Sequence, residues 1–265
     1  LDVSGRTEAE PAARRLLANL VEYLEGAKPP AWKKPTYLGG PRGTDLLKLL
    51  RVEARELKEP TEADAANDVL VLGEATAEQL AGWKGALAAF ADKGGTVFSL
   101  AKTEAELGAD WTPFAIKTKA ESVNATELGK PEDPLLAGLG NSDLYWKGQI
   151  NAVTLAEVPQ GGWRAPTGIL ARVPHGKGQF VFCQAGPELF DVAERFWLEE
   201  SRRGSERLIR TLLTNLGAQL PEPTFLAAPR AKEEVLAILD LAGAWKGVAV
   251  KSADEACPPA ADVRW

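Results

Sequence analysis

The sequence predicts an α/β fold over residues 36–220, a doubly wound, mostly parallel sheet with helices on both faces. Three observations lead there. Asp68-Val69-Leu70-Val71-Leu72-Gly73 is an unbroken apolar run, as expected of a parallel strand covered on both sides. A helical segment from Thr76 to Ala91 follows, with Leu80, Trp83, Leu87 and Phe90 on one face, and it stops at Gly94-Gly95 before a second buried run, Thr96-Val97-Phe98-Ser99-Leu100. A third apolar run, Gly178-Gln179-Phe180-Val181-Phe182-Cys183-Gln184, is followed by Leu208, Ile209, Leu212, Leu213 and Leu216 at helical spacing. Strands alternating with helices through short connections make a parallel sheet.

The remaining elements fit around this frame. Thr36-Tyr37-Leu38 is a short strand candidate. The glycine-rich turn Gly39-Gly40-Pro41-Arg42-Gly43 leads to a helix carrying Leu46, Leu47, Leu49 and Leu50, with Thr44 as its N-cap. Glu53–Leu57 is a candidate second strand. Residues 111–165 are less regular, and Asp133–Leu139 reads as a short helical turn and loop. Ala152–Val158 and Thr167–Val173 look like strands, the second pairing with Gln179–Gln184 as a hairpin around His175–Lys177. The last helix is expected from about Ser205.

The chain opens with the text of that last helix. When Asn19 is set on Asn215, Arg6 falls on Arg202, Glu10 on Glu206, Arg14 on Arg210, Leu16 on Leu212, Leu17 on Leu213 and Leu20 on Leu216, without a gap. A shared amphipathic face explains the leucines alone; it does not explain matching Arg, Glu and Asn. The pattern reads as an internal repeat. Residues 1–25 are then the terminal helix of a preceding, truncated copy, 26–35 a proline-rich linker, 36–220 a complete copy, and 221–265 the start of a β-sandwich, a truncated β segment at the C-terminus. Both terminal segments have apolar faces, which predicts that they dock opportunistically or fray.

Composition sets outer limits. The 265 residues are 45% hydrophobic and 26% charged, an ordinary globular balance with room for a sizeable core. A net charge of −6 argues against nucleic-acid and anionic-membrane surfaces, and no apolar run reaches transmembrane length. Cys183 and Cys257 set no disulfide framework. The single histidine, His175, cannot build a multi-histidine metal site, and CxxC and HExxH are absent, so neither a metal nor a cofactor is expected.

The candidates for chemistry are few, and each has a plainer reading. Backbone N–H groups of Gly39–Gly43 could hold an anion at a helix start, but the loop lacks both GxGxxG and the P-loop ending, which favours a tight turn with a solvated Arg42. Open α/β sheets bind ligands at the carboxyl ends of their strands, and Glu74, Lys102 and His175 are the residues to look at for a catalytic role. Lys102 is by default an exposed lysine, and His175 a solvated hairpin-tip histidine, though histidine is the usual general base. Ser99 lacks a nucleophile-elbow setting and Cys183 belongs to a buried strand, so both read as packing residues. Glu199 and Glu200 invite a glycosidase reading, but adjacent residues cannot flank a sugar bond from opposite sides. They read as a solvated loop or helix start, paired with Arg202 and Arg203 and docked by Phe196 and Trp197. Trp111, Trp146, Trp163, Trp197 and Trp245 could stack on sugars, although scattered tryptophans more often fill cores or interfaces.

Residues 68–73, 77–91, 96–100 and 179–217, with the phrases Asp133-Pro134-Leu135-Leu136-Ala137-Gly138-Leu139 and Gly176-Lys177-Gly178-Gln179-Phe180-Val181-Phe182, resemble the class I glutamine amidotransferase-like domains. This is the flavodoxin-like fold that is also seen in β-galactosidase trimerisation domains and ThuA-like proteins. The resemblance implies that fold and argues against glutaminase activity. The family's amidotransferases carry a Cys in a glycine-flanked elbow after the strand matching 96–100, where this chain has Leu100-Ala101-Lys102, and the companion His-x-Glu is absent near 175–190. Leu239–Lys246 and Pro258–Trp265 resemble the first strands of the sugar-binding jelly roll of family 2 glycoside hydrolases. Together the resemblances imply a non-catalytic structural or interaction module of a multidomain β-galactosidase-like protein, its acid/base carboxylates lying outside this sequence. Its partners would be neighbouring domains of the same chain and carbohydrate, an oligomer is compatible with it, and an exported bacterial protein is the expected setting. The alternatives are a hydrolase with its own site at the strand ends and a carbohydrate-binding module.

Overall fold

The computed structural model describes residues 11–26 and 31–221. Seven strands form one sheet in the order β2 (Arg55–Glu56), β1 (Lys34–Leu38), β3 (Asp68–Leu72), β4 (Thr96–Ser99), β9 (Gly178–Cys183), β8 (Leu170–His175) and β7 (Trp163–Arg164). The first five are mutually parallel, and β8 and β7 add an antiparallel edge through the β8–β9 hairpin. The protein is therefore mixed α/β with a mostly parallel sheet.

Strand β3 shows why the apolar run is unbroken. Val69 and Val71 face a core shared with Leu46 and Leu47 of α2 (Pro41–Leu49) and Leu208, Ile209, Leu212 and Leu213 of α5 (Glu199–Asn215). Leu70 and Leu72 face a second core with Leu80, Trp83, Leu87 and Phe90 of α3 (Ala77–Asp92). Successive side chains point to opposite sides of a strand, so burial on both sides requires every position to be apolar. Thr76 caps α3 by accepting from Gln79 N–H, with the Gln79 side chain returning to Thr76 N–H.

Several expectations are corrected. Helix α2 begins at Pro41 with Gly40 as N-cap, not at Thr44, because proline at the first helical position needs no N–H partner. Helix α5 begins at Glu199, six residues before Ser205. Glu199 and Glu206 neutralise Arg202 at 2.7 and 2.8 Å, and Arg203 also reaches Glu199, so a charged stretch without apolar periodicity is helical. The irregular region holds a two-stranded antiparallel ribbon, β5 (Lys117–Ala125) with β6 (Tyr145–Glu157). Strand β5 is mostly exposed, which is why it lacks an apolar signature. A short helix α4 (Glu104–Gly108) follows β4, and residues 11–26 of the first segment form helix α1. The proposed β-sandwich start lies almost wholly outside the described residues.

Candidate functional site at the strand ends

Strand β1 has β2 on one side and β3 on the other, and the helices that follow β1 and β3, α2 and α3, leave to opposite faces. A crevice opens at such a point, just beyond the carboxyl ends of the strands. Here it is a cleft of about 840 Å³ lined by Gly39, Gly40, Arg42, Lys58, Glu74, Thr76, Trp83, Thr103 and Glu106, among others.

Glu74 follows β3 and turns back toward α2. Its carboxylate accepts the Arg42 N–H at 2.5 Å and the Gly43 N–H at 2.9 Å, and its own carbonyl accepts the Gly40 N–H at 2.9 Å. The glycine-rich turn thus does present an anion site at a helix start, and the protein's own carboxylate fills it. Tyr37 rises from β1 beneath the turn. Its hydroxyl donates to Gly40 O at 2.6 Å and lies 3.3 Å from Glu74 Oε2. Burial, and then the neighbouring Glu74 charge, push the Tyr37 phenol pKa up. A Cβ on Gly43 or Gly73 would overlap that hydroxyl, so two glycines let the ring pass between the loops.

Lys102 sits in the turn after β4, and the exposed side chain expected there is instead fully buried. Its ammonium donates to Gly73 O and lies 3.4 Å from Leu72 O and 4.0 Å from Glu106 Oε1. Burial lowers its pKa to about 8, against the opposing pull of Glu106 and Glu74. Its backbone N–H donates to Gln184 Oε1 at 2.9 Å across the end of β9. Glu106 accepts from the Thr103 N–H and hydroxyl, at 2.8 and 2.7 Å, and from the Ala75 N–H at 3.2 Å. Burial pushes its carboxyl pKa up, but these donors and Lys102 outweigh burial and hold it below the ordinary value.

His175 does not join this group. It pairs with Gly178 where β9 begins, at the opposite end of the sheet from Glu74 and Lys102. It is not a freely solvated tip: its Nε2 lies 3.4 Å from Asp92, and its ring meets Phe114 and Phe180. Ser99 is buried with its hydroxyl on Leu100 O, and burial raises the Cys183 thiol pKa to about 12, as expected of packing residues. Trp111 and Trp146 are buried, Trp163 donates to Asp133 at 2.7 Å, and Trp245 lies outside the described residues. Phe196 and Trp197 do not dock their segment; they stand exposed with their rings edge to face.

Sequence reasoning missed Tyr37, Glu106 and Gln184. Thr103-x-x-Glu106 is a legible helix-capping pattern that would have placed Glu106. Nothing local marks Gln184 or the approach of Tyr37 to Glu74, since Lys102 lies 82 residues from Gln184 and Glu74 lies 37 from Tyr37.

No family model matches the chain, and no curated protein matches it. Among solved structures it is similar to a β-galactosidase from Rahnella sp. R3, at 13% identity over 72% of this chain and 33% of that one, with a TM-score of 0.43. It is also similar to the cytoplasmic protein STM3548 from Salmonella typhimurium, at 12% identity over 68% of this chain and 98% of that one, with a TM-score of 0.44. The exo-β-1,4-mannosidase Op5Man5 from Opitutaceae bacterium strain TAV5 matches at 11% identity over 79% and 39%, with a TM-score of 0.38. β-Galactosidase-like and other glycoside hydrolase proteins thus stand among its distant structural neighbours, and the chain spans about a third of the Rahnella enzyme's length. None of these likenesses brings a residue role to this chain.

Proposed function

We propose that residues 31–221 are a non-catalytic structural or interaction module of a larger β-galactosidase-like protein. The observation that carries the non-catalytic reading is the employment of the two polar groups nearest the strand ends. Both Glu74 oxygens are bonded to the α2 backbone, and the Lys102 ammonium is buried against the carbonyls that end β3. A general acid or base must reach the proton that it moves; Glu74 is tied through both oxygens to the α2 backbone, and the Lys102 side chain has no exposed surface. This reading fits a flavodoxin-like, amidotransferase-like domain in which Leu100-Ala101-Lys102, without a Cys, stands where the amidotransferases carry their elbow. The glycoside hydrolase setting rests on the sequence resemblance of Leu239–Lys246 and Pro258–Trp265 to the first strands of a sugar-binding jelly roll, and with it the catalytic carboxylates belong elsewhere.

A hydrolase reading keeps one observation in its favour: a cleft does stand over β1 and β3, and Glu74 lines it. Turnover of aryl glycosides and aryl esters by the purified chain separates the two. The module reading expects no turnover above buffer. Turnover that disappears in Glu74→Gln, with that variant still folded, overturns it.

A further inference from the structure

Helices α1 (Pro11–Gly26) and α5 share the block Ala13–Leu20 on Ile209–Leu216, with Arg14 on Arg210, Leu16 on Leu212, Leu17 on Leu213, Asn19 on Asn215 and Leu20 on Leu216. The structure shows what this block does in α5. Leu212 and Leu213 are fully buried on the sheet. Arg210 donates to Leu50 O and, at 2.6 Å, to Pro221 O. The Asn215 amide donates to Leu135 O and Ala137 O, both at 2.8 Å. In α1 the same leucines, Leu16 and Leu17, are 38% and 39% exposed, Val21 on the same helix is 46% exposed, and Asn19 is exposed.

We propose that α1 is the closing helix of a second α/β body of the same build, preceding it in the polypeptide, and that Leu16 and Leu17 seat on that body's sheet while Asn19 spans two carbonyls of its equivalent loop. An amphipathic helix that packs on any apolar partner needs only the leucines. Asparagine in a helix interior is unfavourable unless it has a partner, and in α5 its partner is a loop particular to this fold. Retaining Asn and Arg beside the leucine pair therefore matches a socket rather than a generic apolar surface. The inference concerns a surface apart from the strand-end cleft and goes beyond the module reading.

The test fuses a second copy of residues 31–198, a body without its own closing helix, ahead of the full chain. A Leu17→Cys thiol is labelled and located by mass spectrometry in the fusion and in the chain alone. The expected result is labelling at least ten-fold slower in the fusion, restored by Asn19→Asp. Equal rates overturn the proposal, and so does concentration-dependent protection in the chain alone, which assigns the face to a second copy. If the fusion does not fold, the full chain carrying Ile209→Ala, Thr211→Arg and Thr214→Ala places the α1 block in the α5 seat. Its Tm is expected to fall no further than that of Ile209→Ala alone, whereas loss of the cooperative transition contradicts the shared socket.

Discussion

The Glu74 carboxylate lies 2.5 Å from the Arg42 N–H and 2.9 Å from the Gly43 N–H, so one residue at the end of β3 caps the helix that follows β1. The contact spans the point where the chain order of the strands reverses and ties the floor of the cleft there to the start of α2. Glu74→Ala leaves two α2 N–H groups without their acceptor. A loss of about 1–2 kcal/mol in urea unfolding is expected, the range of a lost N-cap. A change below the error of that measurement contradicts the capping role.

Lys102 links stability to pH. Its pKa in the folded protein is lowered from 10.5 to about 8, so between those values the unfolded chain binds more protons and stability rises with pH. The comparison with Lys102→Met isolates this contribution from Tyr37, whose raised pKa acts in the opposite sense above about pH 10. Wild type should gain about 1.5 kcal/mol over Lys102→Met between pH 8 and pH 9.5, measured by denaturant unfolding at both. A constant difference between the two proteins across that window contradicts a buried, pKa-depressed amine.

Asn215 and Asn19 occupy matching positions with different surroundings. Asn215→Ala removes two hydrogen bonds to the Leu135 and Ala137 carbonyls and should cost about 1–2 kcal/mol. Asn19→Ala in the same chain should change stability by less than about 0.5 kcal/mol, as exposed substitutions do. Equal effects at the two sites would mean that Asn19 is already seated.

Gly73 tests the packing beneath the cleft. A methyl group there overlaps the Tyr37 hydroxyl, and that ring is almost wholly buried and cannot swing aside. Gly73→Ala should cost about 1–3 kcal/mol, the range of overpacking. In the double variant with Tyr37→Ala, which removes both the hydroxyl and the ring carbons that the methyl group overlaps, the added cost of the alanine should shrink. Strict additivity of the two changes argues against the contact.

Much of this arrangement was legible in the sequence. Strands β3, β4 and β9 and helix α3 announce themselves because complete burial demands continuous apolar residues and because Thr76 and Gly94-Gly95 mark the helix ends. Strand β5 and the first half of β6 escaped because the exposed face of β5 carries Lys, Glu and Ser in no alternating pattern, while the second half of β6 falls within the expected strand Ala152–Val158. The early start of α5 escaped because ion pairs within the helix, not apolar spacing, support its first turns. At the site, Glu74 and Lys102 were singled out by their place after β3 and β4. Their employment could not be read, since it depends on Arg42 and Gly43, which are 32 and 31 residues from Glu74, and on carbonyls that are 29 and 30 residues from Lys102. His175 was grouped with them because linear sequence does not show which end of the sheet a hairpin turn occupies.

The central claim is that the polar groups at the strand ends hold the fold and perform no chemistry, and the reactivity of the Lys102 amine tests it most directly. The folded chain is treated with a limiting acylating reagent at pH 8.5, and the modification of each lysine is followed by mass spectrometry. The account predicts that Lys102 is modified far more slowly than the exposed Lys48 and Lys117, despite its lowered pKa, because its side chain is inaccessible. Modification of Lys102 as fast as those surface lysines, or faster, contradicts it and points to an open, nucleophilic amine at the strand ends.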